Sequence, residues 1–136
     1  YEKNGYAKIY PASTTKVLTA ILVLENLPLD EKIVASKNAI NSVPLESSVM
    51  GIKKEEIFSV ENLLYGLLLS SGNDAAIVLA EAVSGNVNDF VTLMNTKAKE
   101  IGCLNAVTFL SSLLAFFLPN GLNRITSGIT TTVPKP

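Results

Sequence analysis

Between Val17 and Leu27 the chain is apolar on almost every face of a helix: Val17, Leu18, Ala20, Ile21, Leu22, Val23, Leu24 and Leu27 leave no continuous polar stripe. A helix without a polar side belongs in a core, so this stretch dictates a fold in which other elements surround it. Pro28 ends it. The rest of the chain divides around this segment. Tyr1 to Tyr10 is short and mixed, with Asn4-Gly5 as a turn signal in what reads as the tail of a hairpin. Residues 29–58 are broken by Pro44 and Gly51 and read as a loop-rich excursion, with short strands at Lys32 to Ala35 and Glu56 to Phe58.

Three helices are expected in succession after that. Ser59 is a plausible N-cap, with Glu61 in the first turn and Leu63, Leu64, Leu67 and Leu68 on one face as far as about Ser70. Asp74 is placed to cap a second helix over Ala75 to Val83, closed by Ser84-Gly85. A third, from about Asn88 to Ile101, sets Phe90, Val91, Met94, Ala98 and Ile101 on one side and stops at Gly102. After Leu122 no helical period is found, and a poorly ordered tail is expected.

The inventory narrows the chemistry. There is no histidine, which excludes Ser-His-Asp catalysis, a Cys-His dyad and a His-ligated zinc. Cys103 is the single cysteine, placed after Ile101-Gly102 where a buried structural thiol fits better than a reactive one. With 11 basic against 12 acidic residues and no block of one sign, nucleic acid is a poor candidate partner. The longest apolar run, Ala106 to Leu118, contains Thr108, Ser111 and Ser112 and is shorter than the roughly 20 residues a spanning helix needs. No basic-then-apolar leader precedes Tyr1, so any targeting segment is expected outside this sequence.

Ser13 and Lys16 lie three apart at the start of the apolar helix, which puts their side chains on one side, a turn from each other. A serine hydroxyl needs a base within hydrogen-bond reach, and lysine is the nitrogen base this chain offers it. Burial and the positive end of the helix dipole both disfavour the ammonium and so favour the neutral amine that the task requires. The helix terminus also offers the backbone N–H of Ser13 to a developing oxyanion. Spacing by itself fits equally an N-cap serine followed by a solvated lysine. Ser71-Gly72-Asn73 is the second candidate, a polar turn between apolar helices that brings a hydroxyl and an amide. The sequence carries its own control, because Ser84-Gly85-Asn86 repeats the triplet where a glycine C-cap and a polar N-cap account for it.

Tyr10-Pro-Ala-Ser-Thr-Thr-Lys-Val-Leu-Thr19 resembles the nucleophile motif of the serine D-alanyl-D-alanine carboxypeptidases, the low-molecular-mass penicillin-binding proteins (peptidase S11 family), and Leu67-Leu-Leu-Ser-Ser-Gly-Asn-Asp-Ala-Ala76 resembles their Ser-x-Asn motif. Further stretches in the expected order, among them Ser48-Val-Met-Gly51 and Asn62-Leu-Leu-Tyr-Gly66, extend the likeness over roughly Tyr1 to Asn105, with Pro119-Asn-Gly-Leu122 as an island. The resemblance implies an α+β fold, here a partial β-lactamase/transpeptidase-like fold represented mainly by its helical part with few short strands. It divides the chain into a partial catalytic domain over 1–122, with a divergent apolar segment at 106–118, and a tail over 123–136.

It also implies site roles. Ser13 is then the residue acylated by a D-alanyl peptide, Lys16 its proton acceptor, Ser71 a proton relay to the leaving D-alanine, and Asn73 the holder of the substrate amide. The implied partners are the peptidoglycan pentapeptide ending in D-Ala-D-Ala, and β-lactam antibiotics as acylating inhibitors; no cofactor or metal is implied, and the place of action is extracytoplasmic. The family's third motif, Lys-Thr-Gly or Lys-Ser-Gly, is not found, since the only lysine in the later part is Lys135, followed by Pro136. That motif binds the substrate carboxylate beside the oxyanion hole, so impaired activity is expected. Two other readings stand beside this one: a β-lactamase-related hydrolase, for which no water-activating glutamate can be assigned, and an inactive helical remnant that acts as an interaction module.

Overall fold

The computed structural model describes residues 12–43 and 45–102. A 3-10 turn at Ala12–Thr14 leads into helix α1, Thr15–Asn26; strand β1, Lys32–Val34, follows, then a short helix α2, Lys37–Asn41. Strand β2, Ile57–Ser59, precedes helices α3, Val60–Leu69, α4, Asn73–Ser84, and α5, Val87–Glu100. The two strands pair antiparallel, with Lys32 opposite Ser59, Ile33 opposite Phe58 and Val34 opposite Ile57. Tyr1 to Pro11, Pro44, Cys103 and the segments 106–118 and 123–136 lie outside the described residues, and so do the expectations attached to them.

Each helix starts and stops for a local reason. The Ser59 hydroxyl accepts the Asn62 N–H at 3.2 Å and caps α3, and Glu61 sits in the first turn against the helix dipole. Gly85 closes α4 at φ +80°, a left-handed conformation in which only glycine avoids strain. The side chain of Asn86 accepts the Asp89 N–H at 2.9 Å and opens α5. Helix α2, inside what the sequence suggested was loop, is held by Ser36, whose hydroxyl accepts from Ala39 N–H and donates to Glu81 on α4 at 2.6 Å. Its five residues are too few to show a period, so no pattern in the sequence announces it.

The helix buried on every side is α4 rather than α1. Asn73 to Ala80 are all buried, because α4 touches α1, α2, α3, α5 and β1. One core lies where α4 meets α1, α3 and the strands, with Leu63, Leu67, Ile77 and Leu79 at its centre; a second joins Leu22 to Phe90, Val91, Met94 and Ala98. Helix α1 buries Thr15, Lys16, Thr19, Ala20, Leu22 and Val23 against these partners. Its opposite stripe stays open, with Val17 and Leu24 each 56% exposed, and Ile21 is exposed between them. Among the described residues the expectation of burial all round is corrected: the neighbours α3, α4 and α5 occupy one side of α1. Two smaller corrections have the same cause. Leu68 projects from α3 away from its buried partners Leu63, Leu64 and Leu67, and Ile101 lies just past the end of α5 in solvent.

Candidate active site

Ser13 belongs to the 3-10 turn that precedes α1, so its side chain stays exposed at the mouth of the helix, whereas Lys16, in the first turn of α1, is carried inward to 8% exposure. Tight winding followed by helix separates a solvent-facing hydroxyl from a sheltered amine within four residues. Burial pushes the Lys16 amine below its ordinary pKa of 10.5, because removing the ammonium from water disfavours the charged form. That is the direction a general base needs.

Ser71 comes from the turn between α3 and α4. Its hydroxyl donates to the Ser13 hydroxyl oxygen at 2.8 Å, across 58 positions of sequence. With Ser13 accepting that bond, its own single proton is available to a base. Ser71 reaches this position from a left-handed backbone, φ +52°, which costs a side-chain-bearing residue about 1–2 kcal/mol and persists only where the surroundings hold it. The surroundings are specific. The Gly72 N–H donates to the Gly66 carbonyl at 3.0 Å, and the Asn73 N–H donates to the Ser48 carbonyl at 2.8 Å. A Cβ on Gly72 would meet Asp74 Oδ1 at 2.9 Å, the Gly66 carbonyl at 3.1 Å and the Met50 backbone nitrogen at 3.2 Å, so glycine is required by close backbone approach. Asn73 opens α4 and is 4% exposed.

Asp74 departs from the expected capping role. The N-cap of α4 is Gly72, without a side-chain cap bond, and Asp74 sits inside the first turn, 2% exposed. Its Oδ1 accepts the Met50 N–H at 2.8 Å and its own neighbour Ala75 N–H at 2.9 Å. Oδ2 accepts the Gly51 N–H at 2.8 Å and the Ile52 N–H at 2.9 Å. One buried carboxylate therefore gathers four backbone donors, three of them from the loop at residues 48–52. Sequence reading had no signal for this, because an aspartate after Ser-Gly-Asn looks like a cap whether or not a loop folds over it.

The four candidate residues are thus distributed as two from the start of α1 and two from the α3–α4 turn, with a short serine–serine bond joining the halves. Among the described residues no group of His, Cys, Asp or Glu is arranged to hold a metal ion. The arrangement suits serine nucleophilic chemistry served by a lysine.

Comparison with solved structures places this fold among those of the penicillin-binding proteins and transpeptidases. The D-alanyl-D-alanine carboxypeptidase DacD of Francisella tularensis matches at a TM-score of 0.68 and 41% identity over 76% of this chain and 25% of that one. Penicillin-binding protein 5 of Haemophilus influenzae matches at a TM-score of 0.66 and 33% identity over 74% of this chain and 30% of that one. The chain belongs to the D-alanyl-D-alanine carboxypeptidase family, peptidase S11, whose model matches residues 1–112. Carboxypeptidase DacF of Bacillus subtilis is 36% identical over 110 residues, 77% of this chain. The chain spans 28% of the length of that relative, and the same share of DacC of Escherichia coli, which is 37% identical over 112 residues.

Proposed function

We propose that the chain carries the nucleophile, base and proton relay of a serine-type D-Ala-D-Ala carboxypeptidase of peptidoglycan synthesis, with Ser13, Lys16 and Ser71 in those roles and Asn73 holding the substrate amide. The observation that carries the reading is the 2.8 Å bond from Ser71 to Ser13, with Lys16, three residues after Ser13, buried and lowered in pKa. In this mechanism the neutral Lys16 amine takes the Ser13 proton as Oγ attacks the carbonyl of the penultimate D-alanine. Ser71 passes a proton to the departing D-alanine amine, and water then releases the acyl group from Ser13. A β-lactam presents a similar carbonyl and acylates the same oxygen.

In this reading residues 1–122 form the partial catalytic domain and 123–136 lie outside it. The substrate is a wall pentapeptide ending in D-Ala-D-Ala, and the place of action is the extracytoplasmic side, where such peptides are found. Among the described residues no helix is long and apolar enough to cross a membrane. The Lys-Thr-Gly motif that binds the substrate carboxylate is not in the sequence.

The test is labelling by a fluorescent penicillin over hours, with the parent chain beside Ser13→Ala. Labelling of the parent that disappears in Ser13→Ala is the expected result. Labelling that persists in Ser13→Ala removes Ser13 as nucleophile, and a parent that takes no label overturns the reading that this chain acylates by itself.

A further inference from the structure

We propose that Asp74 is a positioning residue for the Ser13–Ser71 pair, acting through the loop at residues 48–52. Asp74 touches neither serine. Its carboxylate instead collects the N–H groups of Met50, Gly51 and Ile52 at 2.8, 2.8 and 2.9 Å and binds that loop to the first turn of α4. The loop in turn holds the catalytic turn, because the Ser48 carbonyl accepts the Asn73 N–H at 2.8 Å. Two further contacts make the clamp tight. The Met50 side chain lies so close over Gly66 that a Cβ there would overlap it, and Gly66 supplies the carbonyl that accepts from Gly72. Gly51 takes φ +93°, the sharp bend that lets three successive N–H groups converge on one carboxylate.

The two residues that follow Ser71 are both tied down, Gly72 to α3 and Asn73 to the loop, and they fix the turn in which Ser71 takes its left-handed φ of +52°. A carboxylate is the group this task requires. It offers two oxygens with four lone-pair directions and no proton, so all four donors are satisfied without a competing N–H. In Asp74→Asn one oxygen becomes an NH₂ that faces backbone N–H groups, the loop loses its anchor, and the Ser71 hydroxyl wanders from Ser13 while the helices stay in place.

Thiol pairing reads that distance directly and needs no acylation, so it stands or falls separately from the carboxypeptidase reading. In the full chain with Cys103→Ser, the pair Ser13→Cys and Ser71→Cys is equilibrated with oxidised and reduced glutathione. Each disulfide formed releases two reduced glutathiones, and the balance gives the effective concentration of one thiol near the other. Adding Asp74→Asn is expected to lower that concentration about tenfold or more, equivalent to ~1.4 kcal/mol of lost positioning. Met94→Ala, a cavity in the second core away from the clamp, is the stability control and is expected to leave it within about twofold. Asp74→Ser keeps a short acceptor for α4 without the span to the loop, and serves as the second variant should Asp74→Asn not fold. An unchanged effective concentration in both Asp74 variants overturns the proposal. An equal fall in Met94→Ala, or a parent pair that forms no disulfide, overturns it too.

Discussion

The chain writes Ser-Gly-Asn twice, at 71–73 and at 84–86, and folds the two copies differently. In the first, the serine is left-handed at φ +52°, the glycine has φ −62° and is buried against backbone, and the asparagine begins a helix at 4% exposure. In the second, the glycine takes the left-handed position at φ +80° with open space where a Cβ would be, and the asparagine caps α5 from solvent. Ser84 bonds back to the Ala80 carbonyl, whereas Ser71 reaches across the molecule to Ser13. The second copy obeys the local rules for ending one helix and starting another. The first breaks them, with strain on the serine, and what distinguishes it is the loop at 48–52 and the helix α1 packed around it. Identical residues became a plain helix–helix turn in one place and half of the proposed reactive site in the other because their neighbours differ.

The sharpest way to break that comparison is to remove each hydroxyl. Ser71→Ala is expected to slow penicillin labelling of Ser13 by about 10²–10⁴, the usual weight of a proton-transfer group, while Ser84→Ala leaves it within about twofold; labelling rates measure both. Equal slowing in the two variants would remove the distinction.

The pH response comes next. Because burial lowers the Lys16 pKa, the amine becomes neutral below pH 10.5, and the labelling rate is expected to rise about tenfold per pH unit up to that lowered value and then level off. The same shift makes the unfolded chain bind more protons than the folded one just below pH 10.5, so stability rises with pH through that window and falls as Lys16 is charged inside the protein. A rate that declines over that range would show that Lys16 acts as a cation.

Smaller effects separate the glycines and the asparagine. Gly72→Ala presses a Cβ against Asp74 Oδ1 and tightly against two backbone atoms, and is expected to lower stability by about 1–3 kcal/mol. Gly85→Ala meets no atom and suffers only the left-handed strain, about 1 kcal/mol. Asn86→Ala removes an exposed cap at a cost of about 1 kcal/mol or less, without effect on labelling. Urea melts rank the three, and a larger loss at Gly85 than at Gly72 would reverse the assignment of which copy is packed.

The helices at 60–102 were legible because apolar periodicity and capping residues agree there: Ser59 caps, Gly85 and Gly102 stop, and Phe90, Val91, Met94 and Ala98 face one way. The pairing of the strands near Lys32 and Phe58 could not be read, since three-residue strands carry almost no pattern. At the site, the Ser13–Lys16 spacing and the first Ser-Gly-Asn were visible as residues, but spacing left a capping serine and a nucleophile indistinguishable. Asp74 was visible only as a cap, because its real partners, the Met50, Gly51 and Ile52 amides, lie 22 to 24 positions away.

By itself the sequence determined roughly where the longer helices run, that no histidine serves this chemistry, and which motifs are family-like, all properties set within a few neighbouring residues. Tertiary structure alone decided that α4 rather than α1 is the enclosed helix, and that Ser71 rather than Ser84 meets Ser13. It also turned Asp74 into a clamp on a distant loop. Burial and long-range hydrogen bonds depend on which surfaces meet, and a linear order of residues states the surfaces without stating the meeting.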